Sequence, residues 1–384
     1  MTIIALEDVS IIFGENVDSA LELADRGASR SEIQAETDLV LGVHDCALNI
    51  QEGEILVLMG LSGSGKSTLL RAINRLNPIS RGRVLVRDGE RTIDVGKADR
   101  GTLRHLRTEL VSMVFQQFGL LPWRTVEENV AFGLEISGMR KEERLAQARK
   151  QLELVGLQDW AKRKVGELSG GMQQRVGLAR ALANDPAILL MDEAFSALDP
   201  LIRHEMQGEL IRLQAEQKRT IIFISHDIEE AIRIGHRIAI MEGGRVVQIG
   251  TPQELINQPA NDYVRTFFKG FDSSRVLKAG DVASFDPAAV CRVNGKAPQF
   301  QLGVPFGYLL NERGALLGVV DTAAAGTPAP CNQHQLQPVY TDTPLHEVLD
   351  IAASLPYPVP VLDRAGAFQG TVSKNQLLQT LSRH

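Results

Sequence analysis

The 384 residues are 44% hydrophobic and 23% charged, the make-up of an ordinary folded protein of two or three domains with room for a sizeable core. A net charge of −6 gives no general attraction to nucleic acid or anionic lipid, so no nucleic-acid partner is expected and any membrane link must run through protein contacts. Uninterrupted apolar runs such as Ile55–Met59 and Ile221–Ile224 are far too short to span a bilayer, and the N-terminus has acidic residues where a signal peptide needs a basic flank. Cys46, Cys291 and Cys331 are scattered singly, match no metal or redox spacing, and read as reduced packing residues of a cytoplasmic protein.

In chain order, residues 1–13 alternate enough to form an opening strand. Residues 14–38 are polar with interspersed Ala and Leu and read as helical; Ser29-Arg-Ser-Glu32 forms a capping box, with Ser31 as the alternative cap. Strands are expected over 53–59, 83–87, 110–115, 187–192, 220–224 and 237–241. Several of these are continuous apolar runs, as strands buried on both faces of an α/β sheet tend to be. Residues 125–165 are helical and strand-free, with Leu145, Ala148, Leu152 and Val155 at helical spacing opposite Lys, Arg, Glu and Gln. After Phe268-Lys-Gly270 the periodicity weakens. The loop Gly326-Thr-Pro-Ala-Pro-Cys-Asn-Gln-His334 divides the remaining tail. Its last part reads as strand at Pro338-Val-Tyr340, helix over Pro344–Ala353, strands at Pro358–Asp363 and Gly370-Thr-Val372, and a closing helix over Asn375–Leu381.

Residues Gly60-Leu-Ser-Gly-Ser-Gly-Lys-Ser-Thr68 form a phosphate-binding motif between the apolar strand Ile55–Met59 and the helix-like Leu69–Ile73, which is the context the motif requires. Gly60, Gly63 and Gly65, with Ser62 and Ser64 between them, let the backbone curl so that its N–H groups converge on an anion at a helix N-terminus. Lys66 would reach the β- and γ-phosphates and Ser67 would offer its hydroxyl to Mg²⁺, with Thr68 completing the motif. The chain therefore reads as binding a nucleoside triphosphate with Mg²⁺.

Farther on, Leu168-Ser-Gly-Gly-Met172 reads as a tight turn opening a long helix, and Ser169, Gly170 and Gly171 with the free N–H groups there make a second anion site. Two phosphate sites with one nucleotide pocket suggest that each site completes a pocket on another copy. Ile188–Asp192 is a buried strand ending in a carboxylate, and Glu193 follows directly.

On these motifs, in this order, the chain resembles the ATP-binding subunits of ABC transporters over roughly residues 1–265. The resemblance implies an α/β P-loop NTPase of the ABC ATPase type, with an ABC ATPase domain over 1–270, an inserted helical subdomain at about 120–170, an insertion at about 14–40, and an α+β tail over 271–384. It implies ATP hydrolysis in which Asp192 holds Mg²⁺, Glu193 orients or deprotonates the attacking water and His226 contacts the γ-phosphate. Gln116 would touch Mg²⁺ and water, with Gln117 as the alternative register. Phe13 would stack on adenine, Asp199 in Ser196-Ala-Leu-Asp199 would link the two sites across a dimer, and Leu168–Met172 would cap the γ-phosphate held by the partner copy. The usual fifth residue of that last segment is Gln, and here it is Met172.

The insertion at 14–40, the segment Asp192–Arg203 and the segment Pro259–Phe268 are similar to those of quaternary-amine importers, which carry glycine betaine, proline betaine, choline or carnitine. That implies a transmembrane permease subunit, a periplasmic or extracellular substrate-binding protein and a second copy of this chain as partners, at the cytoplasmic face of the cell membrane. Phe118–Trp123 would meet the permease. The tail is similar to a CBS-type module but departs from its nucleotide-binding pattern, with Gln376 where Asp follows Ser373 by three residues and Asp321 where a hydroxyl is expected. That favours a structural or dimerising tail. The alternatives are an importer ATPase for another small solute, whose tail would be a β-barrel, and a soluble ABC ATPase, which would carry zinc clusters, coiled coils or two ATPase domains.

Overall fold

The computed structural model describes residues 1–116, 119–293, 304–322 and 336–382. Gln117, Phe118, Cys331 and the 326–334 loop therefore lie outside the described residues. The chain divides into two compact units, Met1–Arg265 and Thr266–His384.

The first unit is built on a six-stranded sheet in the order Arg245–Gly250, Arg237–Glu242, Ile55–Met59, Thr220–Ile224, Ile188–Asp192, Val111–Val114. All neighbours are parallel except the Arg237–Gly250 hairpin at one edge. Every residue of Ile55–Met59, Ile188–Asp192 and Thr220–Ile224 is buried, which explains their continuous apolar reading. A four-stranded antiparallel sheet, Val40–Gln51, Thr2–Phe13, Arg81–Asp88, Arg91–Asp94, shares one core with it. Leu69, Leu70, Ala72 and Ile73 of helix Lys66–Ile73 contribute to that core, fixing the start of this helix at the carboxyl end of strand Ile55–Met59.

Residues 14–40 form helices Asp18–Asp25 and Arg30–Thr37, with Ser29 as the cap of the second: its side chain accepts from the Glu32 N–H while Glu32 reaches back to the Ser29 N–H. These helices close over a small core of their own, Ala20, Leu21, Ala24 and Ile33 packing on Ile12, Leu39 and Leu41. Residues 126–154 are helical in three pieces, Val126–Val130, Phe132–Ile136 and Lys141–Leu154, with Ala148, Leu152 and Val155 buried and Leu145 half-buried.

In the first unit three strands lie outside the expected set, Val40–Gln51, Arg91–Asp94 and Arg245–Gly250, as do Val290–Arg292, Phe306–Leu310 and Leu316–Asp321 of the second. In Val40–Gln51, Asp45 takes φ +50° where the pairing with Thr2–Phe13 shifts register, so the alternation that marks a strand is broken midway. The other two of the first unit are short or half-buried edge strands.

The second unit carries two three-stranded sheets: Val290–Arg292, Phe306–Leu310, Leu316–Asp321, and Val339–Tyr340, Val359–Leu362, Phe368–Val372. Each pairs its first two strands parallel and its last two antiparallel, a repeat the sequence does not advertise. Helices Leu345–Ser354 and Lys374–Ser382 belong to the second half, and the Tyr308 hydroxyl donates to the Pro358 carbonyl at 2.6 Å, joining the halves.

Candidate nucleotide site

The turn after strand Ile55–Met59 closes on itself around the Lys66 ammonium. Lys66 Nζ donates to the carbonyls of Gly60 at 2.8 Å and Leu61 at 2.9 Å and to Ser64 Oγ at 3.4 Å. Burial pushes the Lys66 ammonium below its ordinary pKa, and the nearby Glu193 and Asp192 carboxylates push it back up. Gly60 has φ +149°, and a Cβ there would lie 2.3 Å from the Met241 carbonyl oxygen, so only glycine fits.

Below the loop, Asp192 is fully buried at the end of its strand. It accepts from Ser67 Oγ at 2.8 Å and from the Arg71 guanidinium at 3.0 Å. These bonds hold a carboxylate and a hydroxyl side by side, a hard-oxygen donor pair of the kind Mg²⁺ takes together with phosphate oxygens. Glu193 follows with φ +51°, which turns its side chain out of the strand line, and Gln116 Nε2 donates to Glu193 Oε2 at 2.9 Å. One cavity of about 480 Å³ is lined by Phe13, Lys66, Ser67, Gln116, Glu193 and His226, together with Gly60, Ser62, Gly63, Gly65 and Thr68. Residues from Phe13 to His226 thus converge on one space. Phe13 ends its strand at the cavity rim, 39% exposed, with its ring beside Gly42. Ser64 sits behind the loop, in contact with Lys66.

The residues expected to form a second anion site stand apart. Ser169, Gly170, Gly171 and Asp199 do not line the cavity. Ser169 caps helix Gly170–Ala183 by accepting from the Met172 N–H at 3.3 Å, and the two glycines are the first helical residues rather than a preceding turn. A Cβ on Gly170 would meet open space. Asp199 caps helix Pro200–Gln217 by accepting from the Ile202 N–H at 3.1 Å.

Four side chains here went unread in the sequence. Arg71 pairs with Asp192, and Gln174, buried in helix Gly170–Ala183, donates to the Glu193 carbonyl at 3.2 Å and accepts from the Ala197 N–H at 3.2 Å. Tyr263 Oη accepts from the Leu61 N–H at 3.3 Å and donates to the Met241 carbonyl at 3.1 Å. Arg30, from the insertion, lines the cavity. Helical spacing from Ser67 signals Arg71, but nothing local marks the others.

The sequence profile of the family described as ABC transporter matches residues 43–196. The chain is 48% identical to the glycine betaine/proline betaine transport system ATP-binding protein of Salmonella typhimurium, over 97% of this chain and 96% of that one. This chain belongs to the ABC transporter ATP-binding subunits. The ABC subunit is also 42% identical to the glycine betaine transport ATP-binding protein of Bacillus subtilis, over 99% of this chain and 92% of the relative. Among solved structures it resembles a dimeric post-hydrolysis state of an ATP-binding cassette bound to ADP and Pi, with TM-score 0.56 and 32% identity, covering 65% of this chain and 98% of that one. Among the described residues no helix is long and apolar enough to cross a membrane.

Proposed function

We propose that this ABC subunit hydrolyses ATP to drive import of a quaternary ammonium compound, glycine betaine or proline betaine foremost. It would work as a peripheral component at the cytoplasmic face of the membrane with a transmembrane permease, a substrate-binding protein and a second copy of itself. The observation that carries the ATPase reading is the Gln116–Glu193 hydrogen bond in the cavity that also holds Lys66 and Ser67. The full-length likeness to betaine-system ATP-binding proteins carries the cargo reading.

In this account the loop N–H groups and Lys66 bind the triphosphate, and Lys66 exchanges its loop carbonyls for phosphate oxygens. Ser67 and Asp192 would hold Mg²⁺ with Gln116 nearby, and the ion would screen phosphate charge. Glu193 accepts a proton from the attacking water, Gln116 orients that carboxylate, and His226 contacts the γ-phosphate. The adenine stacks on Phe13, a contact worth about 1–3 kcal/mol. Ser169, Gly170 and Gly171 lie outside their own chain's cavity and offer open N–H groups, which fits a role in capping the partner copy's nucleotide, with Asp199 linking the two sites. Quaternary ammonium cargo would be caged by aromatic faces in the binding protein, not in this chain.

The tail fits a degenerate CBS-like module that is structural or dimerising. Gln376, at the position where the ligand-binding pattern needs Asp, is occupied within the fold: it accepts from the Ser373 N–H at 2.7 Å and donates to Ser284 Oγ at 2.6 Å.

The test is hydrolysis in vesicles containing the permease subunits. Glycine betaine should stimulate ATP turnover only with the cognate binding protein present, and truncation after Gly270 should leave most of that stimulation. Stimulation by a sugar, polyamine or metal ion instead would refute the cargo reading.

A further inference from the structure

Arg30 is a half-buried cation without a counter-ion. It opens the second helix of the 14–40 insertion, and its guanidinium donates to two backbone carbonyls, Gly63 in the phosphate loop and Gly42 in strand Val40–Gln51. Both acceptors are neutral, and among the described residues no carboxylate pairs with it. Its Nε–H is buried with no partner. Burial pushes the guanidinium below its usual range, with a smaller opposing contribution from Cys46. Arg30 lines the cavity together with Phe13 and the loop residues, and its guanidinium links Gly42, beside the Phe13 ring, to Gly63 of the loop.

The insertion that carries Arg30 is held firmly. Asp25, at the end of its first helix, accepts from Arg81 through two bonds of 2.7 Å and pairs with His44 at 2.9 Å; Arg245 donates to the Ala24 carbonyl at 3.2 Å. The family profile begins at residue 43, so this segment lies outside the shared core. A guanidinium has five donors, and two carbonyls leave N–H groups free for an anion. A half-buried cation without a counter-ion beside a loop built to bind phosphate lacks one thing, a negative charge.

We propose that Arg30 is a nucleotide-binding residue contributed by the insertion, its guanidinium supplying charge to the phosphate nearest the nucleoside end of the cavity while bracing Gly63 against Gly42. The inference rests on the ATP-binding reading above. Because that phosphate is common to ATP and ADP, Arg30 strengthens both nucleotides alike, unlike a γ-phosphate contact.

Calorimetric titration of Mg-ADP and of Mg-ATP into the full-length protein decides it. Arg30→Gln should weaken both by about tenfold, the scale of one charge-assisted hydrogen bond. Arg30→Lys, which keeps the charge but cannot fork between two carbonyls, should recover most of that loss, and the Gln deficit should shrink at high salt. If Arg30→Lys loses as much as Arg30→Gln, the side chain only braces the loop and the proposal falls. It falls equally if Arg30→Gln, with its unfolding midpoint unchanged, binds Mg-ADP like wild type. Wild-type protein that binds neither nucleotide would overturn the ATPase reading itself, an outcome distinct from either.

Discussion

The two units differ in how many polar side chains they bury and where they place them. In the first, the fully buried parallel strands end in polar side chains held by other side chains: Asp192 by Ser67 and Arg71, and Ser225 against Glu230, which also takes a bond from Gln207 at 2.9 Å. In the second, strands such as Phe368–Val372 alternate buried and exposed, and its buried polar side chains among the described residues are Ser273 and Ser274. Burying a polar group is costly unless every partner is in place, so a fold that collects such groups at the carboxyl end of one sheet has reason to position them for chemistry. A fold that avoids them needs only to pack.

Gly60 and Gly370 sharpen that contrast because they share a backbone conformation. Both have φ +149°, and a Cβ would lie 2.3 Å from the Met241 carbonyl oxygen at Gly60 and 2.6 Å from the Ser284 carbonyl oxygen at Gly370. Gly60→Ala should displace the phosphate loop and weaken ATP binding by about 10²-fold, since a shift of order 1 Å at a positioned site costs that much. Gly370→Ala should lower the unfolding transition of the tail while ATP affinity stays within about twofold, as backbone strain of roughly 1–3 kcal/mol stays local to its packed unit. Titration calorimetry and thermal unfolding of the two variants separate these outcomes. Comparable loss of nucleotide affinity in both would break the division of labour.

A smaller effect concerns pH. Burial pushes the Glu230 carboxyl above its ordinary range, with hydrogen bonds from Ser225 and Gln207 opposing. A carboxyl with a raised folded pKa holds its proton better when folded. Its contribution is present at low pH and is lost as pH rises through the raised value. Glu230→Gln cannot ionise, so its unfolding midpoint should exceed wild type by a few degrees at about pH 8, and the gap should close toward about pH 4. A gap that widens on acidification would mean the charged form is the stabilised one.

Legibility in the sequence followed a different line, local motifs against long-range contacts. The phosphate loop and Asp192 stand out in the sequence because each is a local motif at the end of an apolar run, and local runs are what a sequence displays; Glu193 and Gln116 come only with the resemblance to ABC ATP-binding subunits. The capping box at Ser29 was readable as a local motif too. Arg30, Gln174 and Tyr263 were not: each reaches the site through a contact with a residue far along the chain, Arg30 with Gly63, Gln174 with Glu193 and Tyr263 with Leu61. Strand Val40–Gln51 was hidden by the bulge at Asp45, where the alternation slips. The repeated sheet pattern of the tail was hidden because parallel and antiparallel pairing leaves no mark on two- to six-residue strands.

The central claim is that Glu193 acts on water within a site that two copies close around ATP. Glu193→Gln tests it directly, by ATP turnover and by the mass of the protein in solution with Mg-ATP. Turnover should fall by about 10²–10⁴-fold while ATP still binds, and an ATP-dependent dimer should accumulate because opening requires cleavage. Near-normal turnover in this variant, or a protein that stays monomeric at saturating ATP, would contradict it.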